Sequence, residues 1–208
     1  MSEISLKQFG LLGRNISYSF SKGYFTKKFS AENLKNCSYG NFDIPEITDF
    51  PKIIIQNPDL IGMNVTIPYK EVVIPYLDEL SEKAASIGAV NTIKFSKDGK
   101  SKGFNTDYFG FMESLKPLLQ KHHKKALILG TGGASKGVAY ALKELEIDYL
   151  FVSRSEKENV LSYDQINANT FDEYQIIINC SPVGTSPNIE ASPLIPYEYF
   201  TNKHIAYD

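Results

Sequence analysis

The stretch KALILGTGGASKGVAYAL, residues 125–142, constrains the fold more than any other part of the chain. It opens on a short apolar run of strand length and closes on residues spaced for a helix. Between them stand Gly130, Thr131, Gly132, Gly133, Ala134 and Ser135. A strand, a glycine turn and a helix in this order begin a βαβ crossover, so a parallel sheet is expected here. The glycines let the backbone turn tightly and approach a pyrophosphate, with Ser135 where a third small residue would sit. The helix N-terminus would offer N–H groups and a positive dipole end to that anion. A glycine pattern alone is weak, because a turn that merely packs a helix on a sheet has the same look.

The next strand sharpens the reading. DYLFVS (148–153) and YQIIINCS (174–181) are near-continuous apolar runs, which suit a parallel sheet covered on both faces. An NAD-binding unit places an acidic residue at the end of its second strand, about 20 residues on, for the ribose hydroxyls. Here that strand ends in Ser153, Arg154 and Ser155. A guanidinium has the wrong charge for a bare ribose and the right charge and fork for a 2′-phosphate. The sequence therefore favours NADP over NAD, with Glu156 as the feature on the other side.

The first half alternates strand and helix signals. LKQFGLLG (6–13), CSYGNFDI (37–44) and LIGMNVTI (60–67) read as strands, the last closed by Pro68. SYSFSKGYFTKKFS reads as a Ser-rich turn into a helix. DFPKIIIQN reads as a helix with Asp49 as N-cap and Pro51 in its first turn. KEVVIPYLDELSEKAASIG reads as helical, split at Pro75 and stopped by Gly88. AVNTIKF and KGFNTD flank SKDGKS, whose Asp98-Gly99 pair marks a hairpin. Residues 108–120, YFGFMESLKPLLQ, form an apolar helix that leads into KHHKK, read as a solvated linker. The expected architecture is α/β throughout, with a first domain over 1–107 and a dinucleotide-binding domain with a parallel sheet over 108–208. The chain stops at HIAYD, an apolar run that reads as a strand. A domain rarely ends there, so the expectation is a polypeptide that continues past Asp208.

Composition excludes several partner classes. The 22 Lys and Arg against 24 Asp and Glu give a formal net charge of −2, so no basic excess draws nucleic acid or an anionic membrane. No apolar run approaches the ~18 residues of a membrane span, and the N-terminus lacks the apolar core of a secretory signal. Cys37 and Cys180 lie far apart in no metal-like spacing and read as reduced thiols of a cytoplasmic protein. His122, His123 and His204 belong to no metal-binding pattern, so no metal is expected.

Several polar residues sit at the ends of the predicted first-half elements: Ser19 and Ser21, Asn64 and Thr66, Lys70, Asn91, and the run Asn105, Thr106, Asp107. Each alone has an ordinary explanation. Ser19 can cap a helix, Asn64 and Asn91 can satisfy backbone groups, Asp107 can be an N-cap, and Lys70 can be a solvated surface charge. Together they read differently, because ligands of open α/β sheets bind beyond the carboxyl ends of the strands. Hydroxyls and amides converging there suit a polyhydroxylated or carboxylated small molecule. A lysine and an aspartate would supply the proton that hydride transfer to a ketone requires.

GRNISYSFS, GMNVTIPYKE, IGAVNTI, GFNTDYFG, GTGGAS and INCSPVGTSP, in this order and over nearly the whole chain, resemble the shikimate dehydrogenase family. The resemblance implies an N-terminal α/β substrate domain followed by a Rossmann-type NADP-binding domain. It implies NADP-dependent, reversible reduction of 3-dehydroshikimate to shikimate in aromatic amino-acid biosynthesis. Ser19 and Ser21 resemble the pair that holds the substrate carboxylate. Asn64, Thr66, Asn91 and Asp107 resemble the contacts to the ring hydroxyls, and Lys70 with Asp107 the catalytic pair. Gly130, Thr131, Gly132, Gly133, Ala134 and Ser135 match the phosphate-binding turn. Ser153, Arg154 and Ser155 resemble the reader of the 2′-phosphate, and Asn179, Cys180 and Ser181 the turn at the nicotinamide end.

The chain departs from the family pattern at Asn15 and Lys22, where proline is usual, and at Tyr18, where histidine is usual. These predict a loop of different shape with its serine spacing kept. Thr131 replaces a usual alanine, and only Lys157 stands where a second arginine often follows the 2′-phosphate reader. The family also continues beyond the equivalent of Asp208, with a tyrosine and a glutamine that reach the substrate. Tyr24 and Lys28 have the YxxxK spacing of short-chain dehydrogenases, but there the glycine turn comes first. A quinate/shikimate dehydrogenase using NAD and a non-catalytic ligand-binding relative are the competing readings. Arg154 argues against the first, and the presence of both Lys70 and Asp107 against the second. The sequence leaves the oligomeric state, a homodimer included, open.

Overall fold

The computed structural model describes residues 6–154 and 159–208. Its chain divides into two units, Met1–Thr106 and Asp107–Asp208.

The first unit is built on a six-stranded mixed sheet. Its strands are β1 (Lys7–Gly13), β2 (Cys37–Asp43), β3 (Leu60–Val65), β4 (Glu79–Leu80), β5 (Thr92–Phe95) and β6 (Ser101–Phe104), in the order β2-β1-β3-β5-β6-β4. β1 runs parallel to β2 and β3, whereas β5 is antiparallel to both β3 and β6. The β5–β6 hairpin forms where Asp98-Gly99 marks it. Alternation along β1 sends Leu12 to one face, with Phe50, Ile53, Met63, Val65 and Ile93. Leu11 goes to the other, with Ile16 and Tyr39, under Phe25 and Phe29 of helix α1 (Ser21–Ala31).

Two sequence expectations need correction here. Asp49 does not cap helix α2 (Phe50–Gln56): it ends a 3-10 turn in helical conformation, and its carboxylate meets Lys52 Nζ at 2.7 Å. The intervening turn already supplies the helix entry, so no side-chain cap is needed. The stretch after Pro68 breaks more often than Pro75 alone dictates. Helix α3 (Tyr69–Val72) and a 3-10 turn (Ile74–Tyr76) precede strand β4, and helix α4 (Glu82–Ile87) follows. Asp78 sets the break, since its carboxylate accepts the Ser101 N–H at 2.7 Å and the Ser101 hydroxyl at 2.8 Å, drawing β4 alongside β6. Ser81 caps α4 by accepting the Ala84 N–H, and Gly88 ends it in the left-handed conformation at φ 70°.

The second unit is a five-stranded, all-parallel sheet: β7 (Lys125–Leu129), β8 (Asp148–Ser153), β9 (Val160–Ser162), β10 (Ile176–Asn179) and β11 (Ile205–Tyr207), in the order β11-β10-β7-β8-β9. It is apolar on both faces, as the strand sequences require. Ala126, Ile128, Ile176 and Ile178 pack under α5 (Asp107–Leu115) and α6 (Gly133–Glu144). Leu127, Leu129, Val152 and Ile177 pack on the opposite side with Phe171 of α7 (Ala168–Glu173). In α6, Ser135, Val138, Ala139 and Leu142 recur at helical spacing and are all buried. Truncating fully buried Leu142 to alanine would cost about 2–5 kcal/mol. The exposed Lys125–Glu173 ion pair is worth about 0–1 kcal/mol, so apolar burial rather than surface charge holds this unit.

KHHKK is solvated at Lys121, His122 and Lys124 but not throughout. His123 is buried, and the Nε2 atoms of His122 and His123 each lie 3.0 Å from the Lys203 carbonyl oxygen. Burial and the neighbouring imidazoles hold the His123 pKa below its ordinary value.

Candidate active site

The serine loop leaves β1 at Gly13. Asn15 adopts the left-handed conformation at φ 56°, and Asp43 fixes the turn, accepting the N–H of Asn15 at 2.8 Å and of Ile16 at 3.0 Å. The resemblance expects proline at position 15. Proline is locked near φ −65° and has no N–H to give Asp43, so this loop has the distinct shape that its sequence departure predicts. Its serines stay together. Ser19 Oγ accepts the Ser21 N–H at 3.3 Å, and the two hydroxyls lie 3.2 Å apart.

From Tyr39 on β2 a hydrogen-bonded series crosses the unit. The Tyr39 hydroxyl donates to Asn64 Oδ1 at 2.9 Å. Asn64 Nδ2 lies 3.5 Å from Thr92 Oγ1, which donates to Asn91 Oδ1 at 3.1 Å. Asn91 Nδ2 donates to Thr106 Oγ1 at 2.9 Å, and the Thr106 N–H returns to Asn91 Oδ1 at 2.9 Å. The register explains the middle of the series, since Asn64 on β3 stands directly opposite Thr92 on β5. Burial pushes the Tyr39 hydroxyl up to about 12. Tyr39 stacks on Phe25, ring centroids 4.5 Å apart.

Thr66 and Lys70 follow β3 on a firmly held segment. The Thr66 N–H donates to the Leu12 carbonyl at 2.9 Å, and the Lys70 carbonyl accepts the Val90 N–H at 2.7 Å. Tyr69 is buried and donates to the Ile44 carbonyl at 2.7 Å, which aims the next residue away from the core. Lys70 is half-buried. Asp107 is also half-buried and opens α5, the first residue of the second unit. Asn105 is occupied locally, its Nδ2 donating to the Ala89 carbonyl at 3.1 Å.

In the second unit the glycine turn has two unlike glycines. Gly130 holds φ 114°, and a Cβ there would lie 3.0 Å from the Cys180 carbonyl oxygen and 3.1 Å from Ser181 N. Only glycine fits both the conformation and the contact. Gly132 has φ −85°, and a Cβ there would meet nothing within 4 Å, so the protein itself does not require a glycine at that place. Thr131, Gly133 and Ala134 complete the turn into α6. Ser135 is fully buried and donates to the Gly132 carbonyl at 2.6 Å, which leaves the first backbone N–H groups of α6 for other acceptors.

Ser153 ends β8 beside this turn, and Arg154 is exposed next to it; Ser155 lies outside the described residues. Asn179, Cys180 and Ser181 form a tight turn after β10. Asn179 Oδ1 accepts the Ser181 N–H at 3.0 Å and the Ser181 hydroxyl at 2.7 Å, and Cys180 N–H donates to the Leu129 carbonyl at 2.9 Å. The glycine turn, Ser153-Arg154 and residues 179–181 thus gather at the carboxyl ends of β7, β8 and β10.

The structure pairs Ser19 with Ser21, joins Asn64 to Asn91 in one series, and brings the described cofactor candidates to one end of the parallel sheet. Tyr39 and Thr92 join that series without having been singled out. Tyr39 stands in CSYGNFDI, where an aromatic reads as core. A tyrosine where phenylalanine would pack as well was the available signal.

The family described as the shikimate dehydrogenase substrate binding domain matches residues 11–93. The chain is 37% identical over 210 residues to the shikimate dehydrogenase (NADP(+)) of Clostridium botulinum, covering 96% of this chain and 80% of that protein. The chain belongs to the shikimate dehydrogenase family. The crystal structure of shikimate dehydrogenase from Aquifex aeolicus superposes with TM-score 0.83 at 30% identity, covering 99% of this chain and 79% of that one. Shikimate 5-dehydrogenase from Thermus thermophilus, solved with NADP(H) and shikimate, superposes with TM-score 0.80 at 29% identity, covering 97% and 77%. Within shikimate dehydrogenases the present fold is thus the expected one: an α/β substrate domain, then a Rossmann-type domain.

Proposed function

We propose that this protein catalyses the reversible, NADP-dependent reduction of 3-dehydroshikimate to shikimate. The observation that carries the reading is the hydrogen-bonded series Tyr39–Asn64–Thr92–Asn91–Thr106 beside the Ser19–Ser21 pair. These hold four of the side chains that match the family's substrate contacts, and their mixture of hydroxyls and amides suits a carboxylate flanked by hydroxyl groups. Residues 1–107 then bind substrate and hold the catalytic pair, and residues 108–208 bind the dinucleotide.

Each group has a role in this reading. Ser19 and Ser21 donate to the substrate carboxylate. Asn64, Thr66, Asn91 and Asp107 orient the ring hydroxyls. The Lys70 ammonium gives its proton to the ketone oxygen as the carbonyl carbon receives hydride, and in the reverse direction the Lys70 amine takes the hydroxyl proton. Asp107 keeps the lysine and the reacting hydroxyl in line. NADP, when bound, supplies or accepts the hydride. The residues present fit that group. The open space at Gly132 and the N-terminus of α6 suit a pyrophosphate, and exposed Arg154 suits a 2′-phosphate. Thr131 and Ser153 line the same side, Ser155 belongs to the same reader by its sequence match alone, and Asn179, Cys180 and Ser181 flank the nicotinamide. Cys37 and Cys180, neither of them in a disulfide, fit a cytoplasmic enzyme.

The test follows reduced-cofactor absorbance with shikimate or quinate against NADP or NAD. Turnover chiefly with shikimate and NADP is expected. Turnover chiefly with quinate or NAD would overturn the specificity. A folded protein that binds NADP without turnover would overturn the enzyme reading in favour of a ligand-binding role.

A further inference from the structure

Tyr39 stands outside the family's set of matched substrate contacts, yet its hydroxyl bonds one of them, Asn64. The donor order is determined by chemistry. Asn64 Oδ1 can only accept, so the bond of 2.9 Å uses the phenolic proton.

That order has a consequence for Asn64. The two ends of a carboxamide are nearly the same size, and hydrogen bonds decide which way it faces. Tyr39 holds the oxygen on the β2 side, so the amide nitrogen faces the other way, toward Thr92. The Asn64–Thr92 contact is long, at 3.5 Å, and too weak to fix the amide by itself. Tyr39 is therefore the stronger constraint. It is itself rigid, 7% exposed and stacked on Phe25 with an interplanar angle of 10°.

We infer that Tyr39 is a positioning residue, which fixes the Asn64 amide as a hydrogen-bond donor to substrate. The inference rests on the reading of this site as a shikimate site. A group that orients a substrate contact acts on ground state and transition state alike, so it shows in KM more than in kcat.

The experiment compares wild type, Tyr39→Phe, Asn64→Ala and the double variant in the full chain. Phenylalanine keeps the ring and its stacking and removes only the hydroxyl. The expected result is a rise of about 10-fold in the KM for shikimate, with kcat within about 3-fold and NADP affinity unchanged. In the Asn64→Ala background the same replacement is expected to change KM by less than about 2-fold, because the amide it orients is gone. A further readout does not depend on turnover: the side-chain amide proton resonances of Asn64 are expected to move in Tyr39→Phe while those of Asn179 stay. An unchanged KM in Tyr39→Phe overturns the inference, as does an equal rise in both backgrounds. Failure of Tyr39→Phe to fold overturns it too, since the hydroxyl would then be structural. Wild type that does not oxidise shikimate refutes the shikimate reading instead, and the Asn64 resonances still decide whether Tyr39 orients the amide.

Discussion

Gly130 and Gly132 stand two residues apart in one turn, and the structure gives them glycine for different reasons. Alanine at position 130 must adopt φ 114°, which costs about 1–3 kcal/mol for a side-chain-bearing residue. Its Cβ must also displace the Cys180 carbonyl oxygen and the Ser181 nitrogen, at 3.0 and 3.1 Å, which are backbone atoms held by the Asn179 turn. Overpacking of that kind adds about 1–3 kcal/mol. Together these lower Tm by about 5–15 °C. Alanine at position 132 meets no atom within 4 Å at an ordinary φ of −85°, and exchanging one N-cap for another costs less than about 1 kcal/mol. Its Cβ stands where a pyrophosphate would approach, so NADP affinity is expected to fall by about 10-fold or more. Thermal melts followed by circular dichroism, with NADP titrations by fluorescence, separate the two. Gly130→Ala as stable as wild type refutes the structural argument. Gly132→Ala with undiminished NADP affinity refutes the assignment of the turn to the phosphates.

Arg154→Ala is expected to raise the KM for NADP by about 10-fold or more and leave that for NAD nearly unchanged, because only the former carries a 2′-phosphate; equal effects on both would contradict it. The Ser101 N–H and then its hydroxyl hold the Asp78 carboxyl below the usual carboxylate range. A folded pKa below the unfolded one stabilises at pH values above the unfolded pKa and is lost as pH falls through the folded one. Asp78→Asn is therefore expected to lower Tm at pH 7 and to converge with wild type as pH falls through the folded pKa, read from melts over pH 2–7; a constant Tm difference would contradict it.

The second unit was the more legible in sequence. Its strands are apolar on both faces, so KALILG, DYLFVS and YQIIINCS stand out, and the parallel order follows from the crossovers between them. The short strand β9 and helix α7 did not, because VLS and ANTFDE carry too few apolar positions to show a period. In the first unit, β4 was hidden for a similar reason: it is two residues long and is set by the Asp78–Ser101 bonds across 23 positions of sequence. KHHKK misled because polar residues read as solvated, whereas His123 meets a carbonyl 80 residues away and His122 the same one. The candidate site was legible as separate motifs. Thr92, which joins Asn64 to Asn91, and Tyr39, which bonds Asn64, became visible only once strand register set Asn64 opposite Thr92 and brought Tyr39 within reach.

The central claim is that Lys70 exchanges the proton with the substrate oxygen. Its most direct test is the steady-state oxidation of shikimate by NADP with Lys70→Ala beside wild type, both checked for equal Tm. The expected result is a fall in kcat of about 100-fold or more, with a much smaller change in the KM for shikimate. A kcat close to wild type, or a loss matched by alanine replacement of exposed Lys27, would contradict the account.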